Sequence, residues 1–404
     1  MKRNVCSPVL LTALSVALSA ALCRSAAAAT LCVNPGGTNG CFTKIADAVN
    51  HASANDTVNV APGTYNEDVV IRKPLTLVGA NRRNTIIDAT GLSNVIYIDG
   101  LDNPGLSEVV ITGFTLENAN FEGILVTNAS FITVSGNTVT GNDKSLQPSI
   151  PACPGIPSFE TAEDFDCGEA IHLSAADHST VASNLVQNNG GGILLSEDTG
   201  ATHDNLITGN VSESNHFDCG IVLASHPPAA VTGASSPLNV VHNTIVGNES
   251  RANGLGVAGA GAGVGIFTFL PGGTVSGNVI MTNQLIGNGL PGVAMHAHTP
   301  GEFLNDNVIA GNVIAGNGAD TEDAATPGPA GINVFGASPI TGTIISGNVI
   351  KDEAVDIVAN TSALVDAHFN DLLGKQTGVA NIGGGIVNAT RAAPKRGLEF
   401  VPPA

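Results

Sequence analysis

Along most of the chain, short apolar triplets alternate with turns that carry asparagine or glycine. Asn-x-(Val/Ile)-x-x-Asn stands at 137–142, 184–189, 205–210, 243–248, 278–283, 307–312 and 312–317, and Asn348-Val349-Ile350 starts the same unit before Glu353. A degenerate copy, Gly113-Phe114-Thr115-Leu116-Glu117-Asn118, comes earlier. Between these units lie apolar strands that follow a small residue: Gly123-Ile124-Leu125-Val126, Ala170-Ile171-His172-Leu173, Gly192-Ile193-Leu194-Leu195, Gly220-Ile221-Val222-Leu223, Gly292-Val293-Ala294-Met295 and Gly331-Ile332-Asn333-Val334. Ala170 and Gly192 are 22 residues apart, enough for one coil of short strands and turns. Recurrence of this kind predicts a solenoid.

The elements are strands, because side chains that alternate inward and outward account for the triplets. The chain therefore reads as all-β: a right-handed parallel β-helix, the hand being that of nearly every parallel crossover. First and third apolar residues face in, which puts Ile124, Val126, Ile171, Leu173, Ile193, Leu195, Ile221, Leu223, Ile332 and Val334 in the core. Stacked coils about 4.8 Å apart turn each recurring Asn into a column, where its amide bonds to its copies and it tolerates left-handed backbone. Those columns are structural. Phe42-Thr43-Lys44-Ile45-Ala46-Asp47-Ala48-Val49 is amphipathic with helical spacing and predicts a short N-terminal capping helix.

Lys2 and Arg3 precede an apolar run and the small residues at 25–29, the layout of a secretory signal peptide. The expected organisation is a signal peptide over 1–29, an N-terminal cap over 30–56, a parallel β-helix over 57–390 and a tail over 391–404, in a secreted or periplasmic protein with no membrane span in its mature part. Removing the three basic residues of the leader takes the formal charge from −19 to −22. So acidic a chain is a poor partner for nucleic acid or anionic membrane. It also disfavours unaided binding of a polyanionic sugar, unless a divalent cation such as Ca²⁺ reverses the local sign. Oligomeric state is left open. Export permits disulfides: Cys32 and Cys41 bracket a turn-rich segment, Cys153 and Cys167 bracket a Pro-rich insertion, and Cys219 is left over.

A resemblance enters with the opening coils. After the helix come Asp56-Thr57-Val58-Asn59-Val60-Ala61-Pro62-Gly63-Thr64-Tyr65, Val69-Val70-Ile71, Leu75-Thr76-Leu77-Val78-Gly79 and Thr85-Ile86-Ile87-Asp88. This resembles the start of the pectin-lyase-like superfamily, and the later Asn-rich coils look like repeat modules of secreted carbohydrate-binding and sugar-hydrolase proteins, including the copper-maturation accessory type. The resemblance covers roughly 42–390. It implies the β-helix fold and, for function, lyases, hydrolases, esterases, epimerases and non-catalytic proteins alike.

Candidate chemistry concentrates between two insertions, 143–166 and 226–237. Phe-Asp-Cys-Gly occurs twice, at 165–168 and 217–220. His172 holds an outward position between inward neighbours, with Asp166 and Glu169 upstream and Asp218 expected from a later coil. An imidazole beside carboxylates can move protons or ligate a metal. These four are expected to share one solvent-accessible face. A second group, Asp198 and His226 with Glu197 beside them and His296 and His298 on a later coil, is expected about 13 Å along the strands from His172. His178, His203 and His242 fall at turns. Uronate lyases of this fold commonly use Lys or Arg, yet 168–247 contains neither, and no Asp-Pro-His run of the alginate epimerase type is present. The leading expectation is an exported enzyme on polysaccharide, a lyase, epimerase or hydrolase with His172 as base. The alternative is a non-catalytic glycan-binding or periplasmic accessory β-helix.

Overall fold

The computed structural model describes residues 28–147, 149, 154–160, 167–225, 239–362 and 365–391. Residues 1–27 of the expected signal peptide, Cys153, Asp166 and His226 lie outside them. The chain winds as a three-faced parallel solenoid. One face is an eleven-stranded sheet running from Val69–Ile71 to Thr377–Asn381 through Ile124–Thr127, Glu169–Ser174, Gly191–Ser196, Ile221–Ser225, Val264–Thr268, Val293–Ala297 and Ala330–Gly336. The other two faces are built of short strands such as Leu206–Thr208 and Val211–Glu213, each paired in register with its counterpart one coil on. They join into one sheet only at the far end, where Val365–Leu373 pairs on both faces and turns through Phe369 in left-handed backbone (φ 56°).

All ten residues assigned inward are fully buried in one continuous cluster that extends from Val33 to Ala367. At the N-terminal end the helix Ile45–His51 buries Ile45, Ala48 and Val49. The Glu67 carboxylate accepts the Ile45 and Ala46 amide protons at 2.8 and 2.9 Å, satisfying donors that a first helical turn otherwise leaves open. Cys32 and Cys41 form a disulfide, Cys167 is disulfide-bonded, and Cys219 is a free, buried thiol.

The asparagines form three ladders rather than one. Asn205, Asn210 and Asn215 mark three successive corners of a single coil, five residues apart, and so do Asn243, Asn248 and Asn253. In each ladder the side-chain oxygen accepts both the backbone N–H and the side-chain amide of the Asn one coil earlier: Asn184 to Asn210 to Asn248 to Asn283 at one corner, Asn189 to Asn215 to Asn253 to Asn288 at the next. The left-handed residue is not the Asn but the one before it, as at Ser183, Asp204, Gly209 and Ser214. Each buried amide thus closes a corner whose backbone groups no strand could satisfy.

Candidate functional site

Register on the eleven-stranded sheet decides which side chains meet. Ile124 pairs with Ile171 and Ile171 with Ile193, so Leu125, His172 and Leu194 form one outward column. Two residues earlier the same register sets Glu122 beside Glu169 and Glu169 beside Gly191. His172 faces outward as expected, but not into solvent. It is 3% exposed and Glu169 is fully buried. The expected solvent-accessible face is corrected here: this side of the sheet carries a second apolar layer. Leu194, Val222, Ala224 and Ala294 pack with Cys219, Ala262 and Leu290, while Phe121, Leu146, Cys167 and Phe217 form a further cluster.

Within that layer, Glu122, Glu169 and His172 each bring one ligand-type atom within 4.8 Å of the others, so this trio could hold a cation. Asp218 stands across Gly191 from Glu169, since a methyl group there would lie 3.1 Å from Glu169 Oε1 and 3.3 Å from Asp218 Cβ. On its other side His172 contacts the next coil. Its Nε2 lies 2.7 Å from Ser196 Oγ, and that hydroxyl donates to Asp198 Oδ2 at 2.5 Å. Asp198 Oδ2 is itself 3.6 Å from His172 Nε2. The separation of about 13 Å expected from extended strand spacing is therefore wrong. The chain turns just after Ser196, at the end of the strand Gly191–Ser196, and folds the carboxylate back over the hydroxyl.

This chain of bonds fixes a tautomer. Ser196 has one proton and gives it to Asp198, so its oxygen must accept from His172 Nε2–H. In the neutral ring Nδ1 is left as the lone-pair nitrogen, and it has no hydrogen-bond partner among the described residues. A buried imidazole anchored at one nitrogen and open at the other is set up to accept a proton or ligate an ion.

His296 and His298 form a separate cluster four coils further on, about 19 Å at ordinary strand spacing. His296 Nε2 meets Asp320 Oδ2 at 2.5 Å and its Nδ1 meets Glu322 Oε2 at 3.0 Å. His298 meets Thr268 O and Glu322 Oε2 at 2.6 and 2.7 Å and stacks on Phe269. Burial alone would depress His296, but the bonds to Asp320 and Glu322 overcome it and hold its pKa up at about 9. Hydrogen bonds from His296 and then His298 hold Glu322 well below the usual carboxylate range. Every ring nitrogen in this cluster is engaged.

A family model described as right handed beta helix region matches residues 78–268. The solenoid is a right-handed parallel β-helix. Solved structures of the same shape include the A-module of the Azotobacter vinelandii mannuronan C-5 epimerase AlgE4, at TM-score 0.52 and 16% identity over 85% of this chain and 93% of that one. The AlgE6 A-module of the same organism gives 0.52 and 16% over 87% and 94%. ORF18 of Geobacillus virus E2 gives 0.51 and 13% over 83% and 57%. At these identities the likeness is one of fold. No curated protein sequence matches the chain significantly.

Within this β-helix, sequence reasoning missed Glu122, Ser196, Asp320 and Glu322. Aligning Glu122-Gly123-Ile124 with Glu169-Ala170-Ile171 would have stacked the two glutamates. Asp320 and Glu322 lie on the excursion between Asn317 and Ala330, where no periodic signal marks them.

Proposed function

We propose that this protein is an exported carbohydrate-active enzyme that acts on polysaccharide by abstracting a proton, as a lyase or an epimerase does, at the outward face around His172. The observation that carries the reading is the buried trio of Glu122, Glu169 and His172, with the His172 ring anchored at Nε2 by the Ser196–Asp198 relay. Hydrolysis fits less well. Its two carboxyl groups flank the scissile bond, about 5–5.5 Å or 6.5–9.5 Å apart, whereas Glu122 and Glu169 stand in one column on one side. The fold shared with mannuronan C-5 epimerase A-modules adds an analogy. The disulfide fits an oxidising compartment, and no helix among the described residues is long and apolar enough to cross a membrane. The organisation proposed is a leader over 1–29, a cap over 30–56, the β-helix over 57–390 and a tail over 391–404.

Screening purified protein on neutral and acidic glycans, with and without Ca²⁺, tests the reading. Unsaturated-uronate absorbance or a changed epimer ratio supports it, and reducing ends without that absorbance would replace it by hydrolysis. The burial of His172 favours a second reading, a non-catalytic glycan-binding or periplasmic accessory β-helix. Glycan binding without turnover would select it.

A further inference from the structure

Away from that face, one turn of the solenoid carries a column of chemistry the proposed function does not use. Asp177 bridges to His203, and His203 pairs with Val241, so the residues that follow them, His178, Asp204 and His242, occupy one corner in three successive coils. All three have left-handed backbone, with φ of 49°, 56° and 57°. Glycine takes this conformation without strain, and it stands at the same corner in the next coil, as Gly277. Three coils in a row instead place imidazole, carboxylate and imidazole there.

The hydrogen bonds orient these rings. His178 Nδ1 lies 2.7 Å from Asp177 Oδ1, and His203 Nδ1 lies 2.9 Å from Asp204 Oδ2. Carboxylates only accept, so in the neutral His178 ring Nδ1 carries the proton toward Asp177 and Nε2 keeps its lone pair, whereas His203 turns Nδ1 toward Asp204, where an ion held by both would take that proton's place. A carboxylate behind the imidazole is the arrangement that commonly sets a histidine for metal ligation. Packing narrows the geometry further. Phe131 stacks on His178 at 5.2 Å, and the His178 and His203 rings meet edge to face at 6.0 Å. One ligand-type atom from each of His178, His203 and Asp204 lies within 4.8 Å of the others. Ligands sharing one ion at about 2.0–2.2 Å stand no more than about 4.4 Å apart, so small side-chain adjustment closes the site. His178 and Asp204 are exposed and His203 is half-buried, so an ion would reach them from solvent.

We propose that His178, His203 and Asp204 bind one divalent first-row transition-metal ion, with Asp177 orienting His178 and His242 available from the adjoining coil. Two imidazoles favour Zn²⁺, Ni²⁺ or Cu²⁺ over Ca²⁺ or Mg²⁺, which prefer oxygen. The site is independent of glycan turnover.

Calorimetric titration of untagged full-length protein with Zn²⁺ alone, and separately with Ca²⁺ alone, tests the proposal. One Zn²⁺ per chain is expected at this corner, with affinity at least tenfold weaker in His178→Gln and in His203→Gln. Asp177→Asn should weaken it about 10–100-fold through the ring it orients. His172→Gln and His298→Gln, at the two other histidine clusters, should leave it unchanged. Because His178, His203 and Asp177 are exposed or half-buried, circular dichroism should show the variants at those three positions folded. Zn²⁺ binding that His178→Gln and His203→Gln leave intact, binding lost in His172→Gln or His298→Gln instead, or no preference for Zn²⁺ over Ca²⁺ would each overturn the proposal.

Discussion

His172 and His296 stand outward on the same sheet, four coils apart, both buried and both beside carboxylates. His296 is saturated: Asp320 takes one nitrogen, Glu322 the other, and the ring is held protonated. Among the described residues His172 is anchored at one nitrogen only, by Ser196, and it lies beside Glu122 and Glu169. A closed network fixes a loop; a half-open one can take up a proton. The difference does not come from the strands, which are paired in the same register throughout. It comes from what each excursion lays over the sheet. The segment carrying Asp320 and Glu322 brings two acceptors to His296, whereas Gly191 leaves space beside Glu169.

That contrast can be broken by substitution. His172→Gln should lower turnover by at least about 10²-fold, the ordinary contribution of a positioned base, with little change in melting temperature. His296→Gln should do the reverse. It removes the cation from a buried ion cluster and should cost about 3–5 kcal/mol, measured by denaturant unfolding, because Asp320 would be left buried beside a neutral amide. Equal stability losses in the two variants would erase the distinction.

The pH dependence sharpens it. His296 has a folded pKa of about 9 against 6.5 for a free imidazole. The raised value means its stabilisation is complete below about pH 6.5 and is lost as pH rises through 9, a change of roughly 3 kcal/mol at most. Glu322 has the opposite sign: its depressed pKa contributes above the ordinary range near 4.5 and is lost in acid. Unfolding free energy measured from pH 4 to 10 should therefore plateau at mid-range and fall on both sides, and His296→Gln should flatten the alkaline limb. The smallest effect belongs to the framework. Asn210→Ala removes an amide that donates to Val181 O and Asn248 Oδ1, and should cost about 1–3 kcal/mol without changing turnover.

Periodicity made the framework legible. Alternation in strands such as Ile193-Leu194-Leu195 assigned the inward column, and the Asn spacing marked the corners, although one repeat unit proved to serve three ladders. The site was only half legible. The outward register of His172 followed from its neighbours, and Glu169 lies beside it. Its burial did not follow, since the apolar layer over the sheet comes from residues such as Leu146, Cys167 and Phe217, which lie between strands and outside the inward–outward alternation. The contact with Asp198 escaped for a related reason: distances along an extended strand fail once the chain turns back, as it does after Ser196.

The central claim is that His172 takes a proton from a sugar carbon, and exchange with solvent reads that step directly. The protein and its His172→Gln and His296→Gln variants would each be incubated in D₂O with the acidic glycan bound best, and deuterium at the carbon next to the uronate carboxylate read by NMR. Incorporation by the wild-type protein and by His296→Gln below pH 8, with none by His172→Gln, is the predicted result. Incorporation that survives His172→Gln, or bond cleavage by the wild-type protein with neither deuterium uptake nor an unsaturated product, would contradict it.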